Sequence, residues 1–514
     1  MVDVTEVPAW PAGLSDYLWH WETTSPSKVF VSDDTGTSLT FSHAATRVRA
    51  LSAELGRRGL VTGQRVALLA ENSADWIIAF LATLASGMVT VPLATRVTTD
   101  ALDALLDHAD PGAFAVDEAL RPLVGPRWLD RLVLLPHPPK LPGLSHADRR
   151  GDGGTATTSA GHGSTRRAEP DAPACLTYTS GTTNRPKGVV LSNAGLARAS
   201  ETYAALFHST PELHTIVAVP LCHNTGFVDQ LGHALVAGGS IEAHRRFRAD
   251  KIAEALQSGT CSYFIGVPTM YHRIVEHLAG TLPCELAPAL AFGGAPMPSQ
   301  LIVRLHHQFP HSLLANCYGL SEATSITHIN FVQPGHAATE VGVAVAGTVD
   351  RISASGELLV RSPTTMLGYH RDPQASAANF EDGWLRTGDL ASRSDDGVVR
   401  VYGRVDDVIN RGGEKVVPLE VEEALCSHPS VVEAAVVGLA DEEYGMIVAA
   451  AVVMRDPIAL ADLESFVEGS LADYKRPTRL VTVDHLPRNE NGKVVAGEVR
   501  DLVTRMLSGQ QGQP

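Results

Sequence analysis

From residue 39 onward, apolar positions spaced three or four apart give way repeatedly to short runs rich in β-branched residues. Residues 41–56 carry the first pattern and predict a helix, and Arg65-Val66-Ala67-Leu68-Leu69 predicts a strand. Residues 75–85 predict a second helix stopped near Gly87, with Val89-Thr90-Val91-Pro92-Leu93 as the next strand. Further apolar runs at 215–219, 262–266 and 289–292 continue the rhythm. Strand, helix, strand in succession predicts a parallel sheet with helical crossovers. Past Gly383 the texture changes to short strands around polar turns such as Arg393-Ser394-Asp395-Asp396-Gly397, then a helix at 418–425 and a strand at 431–437. The expected fold class is α/β: a large N-terminal domain, residues 1–403, with parallel-rich sheets and flanking helices, plus a small α+β C-terminal domain, residues 404–514. Residues 151–171 are rich in Gly, Ser and Thr without apolar periodicity and are expected to form a flexible loop.

Composition narrows the function classes. With 514 residues, 44% hydrophobic and 19% charged, the chain exceeds what one core usually organises and lacks a disorder signature over most of its length. The formal charge of −16, from 57 acidic against 41 basic residues, comes without a basic block, so no nucleic-acid partner is expected. Cys175, Cys222, Cys261, Cys284, Cys317 and Cys426 are scattered, with neither zinc-site nor disulfide-framework spacing, which fits a reduced setting. The start, Met1-Val2-Asp3-Val4-Thr5-Glu6, lacks the basic and apolar regions of a signal peptide, and no apolar run is long enough for a membrane span. A cytoplasmic protein acting on a small molecule is expected, as a monomer or dimer.

The densest chemistry lies at Thr179-Ser180-Gly181-Thr182-Thr183-Asn184-Arg185-Pro186-Lys187-Gly188. Four hydroxyl side chains, two glycines and a lysine in one strand-to-loop segment supply directional donors, exposed backbone N–H groups and a point charge, the equipment phosphate oxygens need. Lys187 is followed by Gly188 and Val189, so this is not the phosphate loop of kinases and GTPases.

The segment resembles the signature loop of the adenylate-forming superfamily of acyl-CoA ligases, luciferases and peptide-synthetase adenylation domains, and further motifs follow in that family's order as far as residue 499. Tyr318-Gly319-Leu320-Ser321-Glu322 resembles its adenine and magnesium segment, which implies Tyr318 against adenine, Gly319 and Ser321 beside the nucleotide, and Glu322 on Mg²⁺. Gly293-Gly294-Ala295-Pro296 resembles the turn under adenine, with Asn316 at its amino edge. Gly383-Trp384-Leu385-Arg386-Thr387-Gly388-Asp389 resembles the ribose motif, in which Asp389 accepts from both hydroxyls. Gly403-Arg404-Val405-Asp406-Asp407 resembles the hinge, giving Arg404 a ribose or phosphate contact and making the C-terminal domain mobile about Asp406. The run beginning Asn410-Arg411-Gly412-Gly413 resembles the loop used in thioester formation, with Gly412 and Gly413 bordering a CoA tunnel. Pro487-Arg488-Asn489-Glu490-Asn491-Gly492-Lys493 resembles the loop of the catalytic lysine, Lys493. Taken singly, each motif has a plain structural alternative, such as a polar turn, a solvated acid or an exposed lysine; their order along one chain is what sets them apart.

The resemblance implies ATP, Mg²⁺ and CoA, and a reaction in which a carboxylic acid becomes an acyl-adenylate and then a thioester. Pro220-Leu221-Cys222-His223-Asn224 resembles the segment bordering the acid pocket, so His223, Asn224, Val267, Phe292, Gly293 and Leu320 are the expected pocket residues. Asn224 stands where amino-acid-activating relatives usually carry an aspartate, and the other wall segments are small or apolar; an apolar acid is expected. Two alternatives stay open: an adenylating enzyme that hands its product to a carrier protein or partner enzyme, and a non-catalytic acyl- or nucleotide-binding relative.

Overall fold

A computed structural model of the chain describes residues 13–135, 169–179, 187–337, 339–488 and 494–510. It divides into two compact units, one comprising Met1–Ala338, Ala344–Val349 and Arg361–Leu385, the other Thr339–Val343, Asp350–Val360 and Arg386–Pro514.

The first unit holds two mixed sheets. In one, Val29–Asp33, Ser240–Ala243, His214–Val217, Tyr263–Gly266, Ala289–Gly293 and Leu313–Gly319 lie side by side and parallel, with Ser38–Thr40 antiparallel beside the first and Ile326–Phe331 antiparallel beside the last. In the other, Leu132–Leu135, Ala113–Asp117, Arg65–Leu69, Val89–Pro92 and Pro173–Thr179 are parallel, and Lys187–Ser192 and Gly368–Tyr369 return antiparallel. The parallel-rich α/β body expected from the sequence is present. Helix Ala74–Ala85 is buried at every residue but Asp75, as a helix apolar on all sides must be. Ser73 caps it by accepting from the Trp76 N–H at 3.1 Å, a contact worth about 1 kcal/mol.

Strand Arg65–Leu69 falls where the apolar run predicts it, whereas the run at 215–219 ends as a strand at Val217. Beyond Val217, buried Asn72 replaces the ladder: its amide donates to the Val219 carbonyl at 2.8 Å, and its oxygen accepts from the Leu221 N–H at 2.8 Å.

In the second unit, Glu357–Arg361, Trp384–Arg393, Val399–Arg404 and Glu340–Ala344 are neighbours in that order. Downstream, Val431–Asp441 pairs antiparallel with Gly445–Met454, which runs parallel to Arg479–Thr482. Alternation sorts this sheet's side chains: Val436, Val448, Ala450 and Val452 pack with Val421 and Leu425 of helix Pro418–Cys426, while Ala435, Val437, Ala449 and Ala451 pack with Val499 and Val503 of helix Ala496–Gln510. All six cysteines are free, five of them buried and Cys426 partly exposed. Among the described residues no helix is long and apolar enough to cross a membrane.

Candidate active site

In the first unit, the parallel strands His214–Val217, Tyr263–Gly266, Ala289–Gly293 and Leu313–Gly319 end on the same edge of their sheet, the edge where open α/β sheets take ligands. Val267, Gly294 to Pro296, and Leu320 to Glu322 all follow these strand ends. Gly294 has φ +79°, and a Cβ there would sit 3.9 Å from Val267 Cγ1, so these two expected residues are neighbours. Asn316 is buried in register with Phe292, and Gly293 with Cys317. The Phe292 side chain is fully buried in the core, its ring edge-on to Tyr271. Tyr318 is half-buried, its ring edge-on to His328 at 5.7 Å between centroids. A Cβ on Gly319 would come within 2.0 Å of the Ser325 carbonyl, so the turn from Tyr318 to Ser325 closes only around a glycine.

That turn is pinned from several sides. Thr324 adopts φ +65°, its hydroxyl donates to the Thr364 carbonyl, and its own carbonyl accepts from the Asn224 amide. Ser325 donates to Asp229 Oδ1 from within the protein interior. Asp229 lies on the π-helical turn Phe227–Gly232, and burial pushes its carboxyl up to about 7, against the pull of hydrogen bonds from Ser325, Tyr203 and Thr225. Glu322 is half-buried; Oε1 accepts from the Tyr369 hydroxyl at 2.8 Å, and no ion pair to it occurs among the described residues. Tyr369 reaches Glu322 because Gly368–Tyr369 pairs with Val189 and Val190, one strand over from Thr179. The same ring lies 5.2 Å from Lys187 Nζ. Thr179 and Lys187 are cross-strand partners at the end of their hairpin where the chain passes from one strand to the next. Ser180, Gly181, Thr182, Thr183 and Asn184 lie outside the described residues, as do Lys493 and residues 151–168.

His223 follows the segment that Asn72 clamps. Burial pulls its imidazole down to about 4, which leaves it neutral at physiological pH, and Nε2 is buried with no partner among the described residues.

In the second unit, Asp389 and Arg404 face each other across adjacent strands, with Arg404 Nη1 3.0 Å from both Asp389 Oδ1 and the Thr387 carbonyl. Asp389 is 9% exposed. Asp406 is exposed in the short 3₁₀ turn Val405–Asp407. Gly412 and Gly413 form the two-residue turn between Ile409–Arg411 and Glu414–Val416, with φ +61° and +97° as such hairpins require. Gly412 donates to the Tyr444 carbonyl at 2.8 Å, and Arg411 lies over the Tyr444 ring. Lys475, a cation near the C-terminal motifs, is tied at 2.6 Å to Glu420.

Sequence reasoning missed three residues that organise these groups: Asn72, Tyr369 and Glu357. Each acts on a segment distant in the chain, Tyr369 and Glu357 through strand pairing and Asn72 across two different sheets. No group of three or more His, Cys, Asp or Glu side chains able to hold a metal occurs among the described residues. A lone carboxylate without a cation partner fits Mg²⁺ of the kind that keeps most of its ligands from phosphate and water.

An α/β body that gathers such motifs at its strand ends has the arrangement of enzymes that bind small molecules there. The chain belongs to the AMP-binding enzyme family: that family's model matches residues 18–370, and the model of the AMP-binding enzyme C-terminal domain matches residues 420–493. Oxalate–CoA ligase of Arabidopsis thaliana is 30% identical to it over 476 residues, 87% of this chain and 90% of the relative. Indoleacetate–CoA ligase of Aromatoleum aromaticum is 30% identical over 498 residues, 92% of this chain and 95% of the relative. The crystal structure of ATP-bound MatB from Rhodopseudomonas palustris has the same fold, with a TM-score of 0.85 at 27% identity, over 97% of this chain and 100% of that chain.

Proposed function

We propose that this protein is an acid–thiol ligase that uses ATP to convert a carboxylic acid into an acyl-adenylate and then transfers the acyl group to CoA. Family membership of both parts of the chain carries the proposal, since residues 18–370 alone would support nucleotide binding, and the second match runs through Lys493.

A carboxylate oxygen of the acid attacks the α-phosphorus; the new O–P bond forms as the bridge to the β-phosphate breaks, and pyrophosphate leaves with the electron pair. No protein nucleophile takes part. Thr179, Ser180, Gly181, Thr182, Thr183 and Lys187 hold the departing phosphates, Gly293 to Pro296, Asn316, Tyr318, Gly319 and Ser321 hold the adenine end, and Asp389 accepts from the ribose hydroxyls. Arg404 and Lys493 stabilise the charge that builds between carboxylate and α-phosphate. Glu322 is the residue that would hold Mg²⁺, whose chemistry is to offset phosphate charge. Thioester formation follows once residues 404–514 turn about Asp406: the thiol attacks the acyl carbonyl past Gly412 and Gly413, loses its proton to solvent, and AMP leaves.

His223, Asn224, Val267, Leu320 and the backbone around Phe292 and Gly293 border the acid. Asn224 is a neutral amide and offers no carboxylate charge to an ammonium group, which speaks against an ammonium-bearing acid, and the apolar walls favour an apolar one. A screen of carboxylic acids for ATP-dependent pyrophosphate release, followed by CoA-dependent release of AMP, tests the proposal. Pyrophosphate release that no acid stimulates would overturn it, and adenylation without CoA-dependent turnover would redirect it to a carrier protein.

A further inference from the structure

We propose that Glu357 is the positioning residue for ribose recognition, holding the turn that aims Asp389; this rests on the ribose role proposed for Asp389. Glu357 is 3% exposed and lies thirty-odd residues upstream of the motif it serves. Both its oxygens are engaged within the second unit. Oε1 accepts from the Gly388 N–H at 3.0 Å, and Oε2 accepts from Arg386 Nε at 3.0 Å and Nη2 at 2.6 Å. One buried carboxylate therefore grips the turn on both sides of Thr387. Thr387 is locked in turn: its hydroxyl donates to the Leu358 carbonyl at 2.7 Å and accepts from the Asp389 N–H at 3.1 Å.

Gly388 has φ +71°, and a Cβ there would come within 2.6 Å of Arg404 Nη2, so the backbone carrying Asp389 must pass close beneath the guanidinium. Such a left-handed turn against a cation keeps its shape only if its N–H groups are held. Glu357 holds Gly388, and Thr387 holds Asp389. A carboxylate that must accept two hydroxyls at once needs its orientation fixed in advance, since a rotated Asp389 still pairs with Arg404 but no longer meets both hydroxyls. The Arg386 pair has a further part. It compensates the charge of Glu357, which otherwise would be buried beside Asp389 with like sign.

The test is nucleotide binding, measured as the ratio of dissociation constants for 2′-deoxy-AMP and 3′-deoxy-AMP to that for AMP, with melting temperature recorded in parallel. The wild-type protein is expected to favour AMP by about tenfold or more over each deoxy analogue, as loss of a charge-assisted hydrogen bond implies. Asp389→Ala is expected to abolish that preference. Glu357→Gln keeps the shape but not both acceptors, and is expected to lose most of the preference while folding; Glu357→Gln combined with Arg386→Gln, which lets one amide serve Gly388 and the other glutamine, is expected to regain part of it. If wild-type and Asp389→Ala behave as stated but Glu357→Gln keeps the full preference, Glu357 is structural only and the inference falls. If the wild-type protein does not distinguish AMP from either deoxy analogue, the ribose role of Asp389 falls first.

Discussion

Two carboxylates of this chain stand in contrasting surroundings. Glu322, in the first unit, is half-buried and meets a phenol, with no cation paired to it among the described residues. Asp389, in the second, is 9% exposed and already paired with Arg404 at 3.0 Å. The supports differ in the same way. The turn bearing Glu322 rests on Asp229, a buried carboxyl that burial drives up to about 7, whereas the turn bearing Asp389 rests on Glu357, which is ion-paired to Arg386. A carboxylate with no cation partner among the described residues is suited to a metal ion, while one whose charge is already compensated is suited to neutral hydroxyls. Under the proposed function, the same functional group is given two tasks by its neighbours.

The largest effect that would sharpen the contrast is expected from Glu322→Ala: acid-dependent pyrophosphate release should fall about 10²–10³-fold, mainly in kcat, if Glu322 acts on charge in the transition state. A loss confined to KM would break the contrast. For Asp389→Ala the expected loss is smaller, about tenfold to a hundredfold in kcat/KM for ATP, and it should appear in KM because the ribose contact is made in ground and transition states alike. Tyr369→Phe removes one hydrogen bond to a charged group, and about a three- to tenfold higher Mg²⁺ concentration for half-maximal rate is expected; an unchanged Mg²⁺ requirement would remove Tyr369 from the site.

The smallest effect concerns stability. Asp229 has a folded-state pKa of about 7 against 3.8 for the free side chain, so the native state retains the proton that the unfolded chain releases. Its contribution therefore falls as pH rises from near 4 to near 7, and stays low above that. Asp229→Asn is expected to raise the melting temperature relative to wild type, by a few degrees more at pH 8 than at pH 5. A difference that does not change with pH would show that Asp229 is not held as the neutral acid.

Much of this was legible along the chain. Strand Arg65–Leu69 and helix Pro418–Cys426 follow local apolar patterns, and Asp389, Glu322 and Lys187 sit in contiguous motifs whose chemistry is readable from neighbours. The organising residues were not. Tyr369 reaches Glu322 across 47 positions, and Asn72 reaches Val219 across 147. The role of Tyr369 arises from strand order and that of Asn72 from the meeting of two sheets, and periodicity gives a strand's faces without naming its neighbour. The early end of the strand at Val217 has the same origin, since a side chain from another part of the chain takes the hydrogen bonds a longer ladder would use.

The cysteines have a practical consequence. Five are buried, and burial together with Glu422 pushes the thiol of the sixth, Cys426, up to about 11, so little thiolate exists at neutral pH. A maleimide dye should therefore find no fast native target. One new, exposed cysteine placed beside Asp406 could carry a fluorophore in the otherwise unaltered chain, and changes in its emission on adding ATP, acid and CoA in turn would follow the catalytic cycle as it runs.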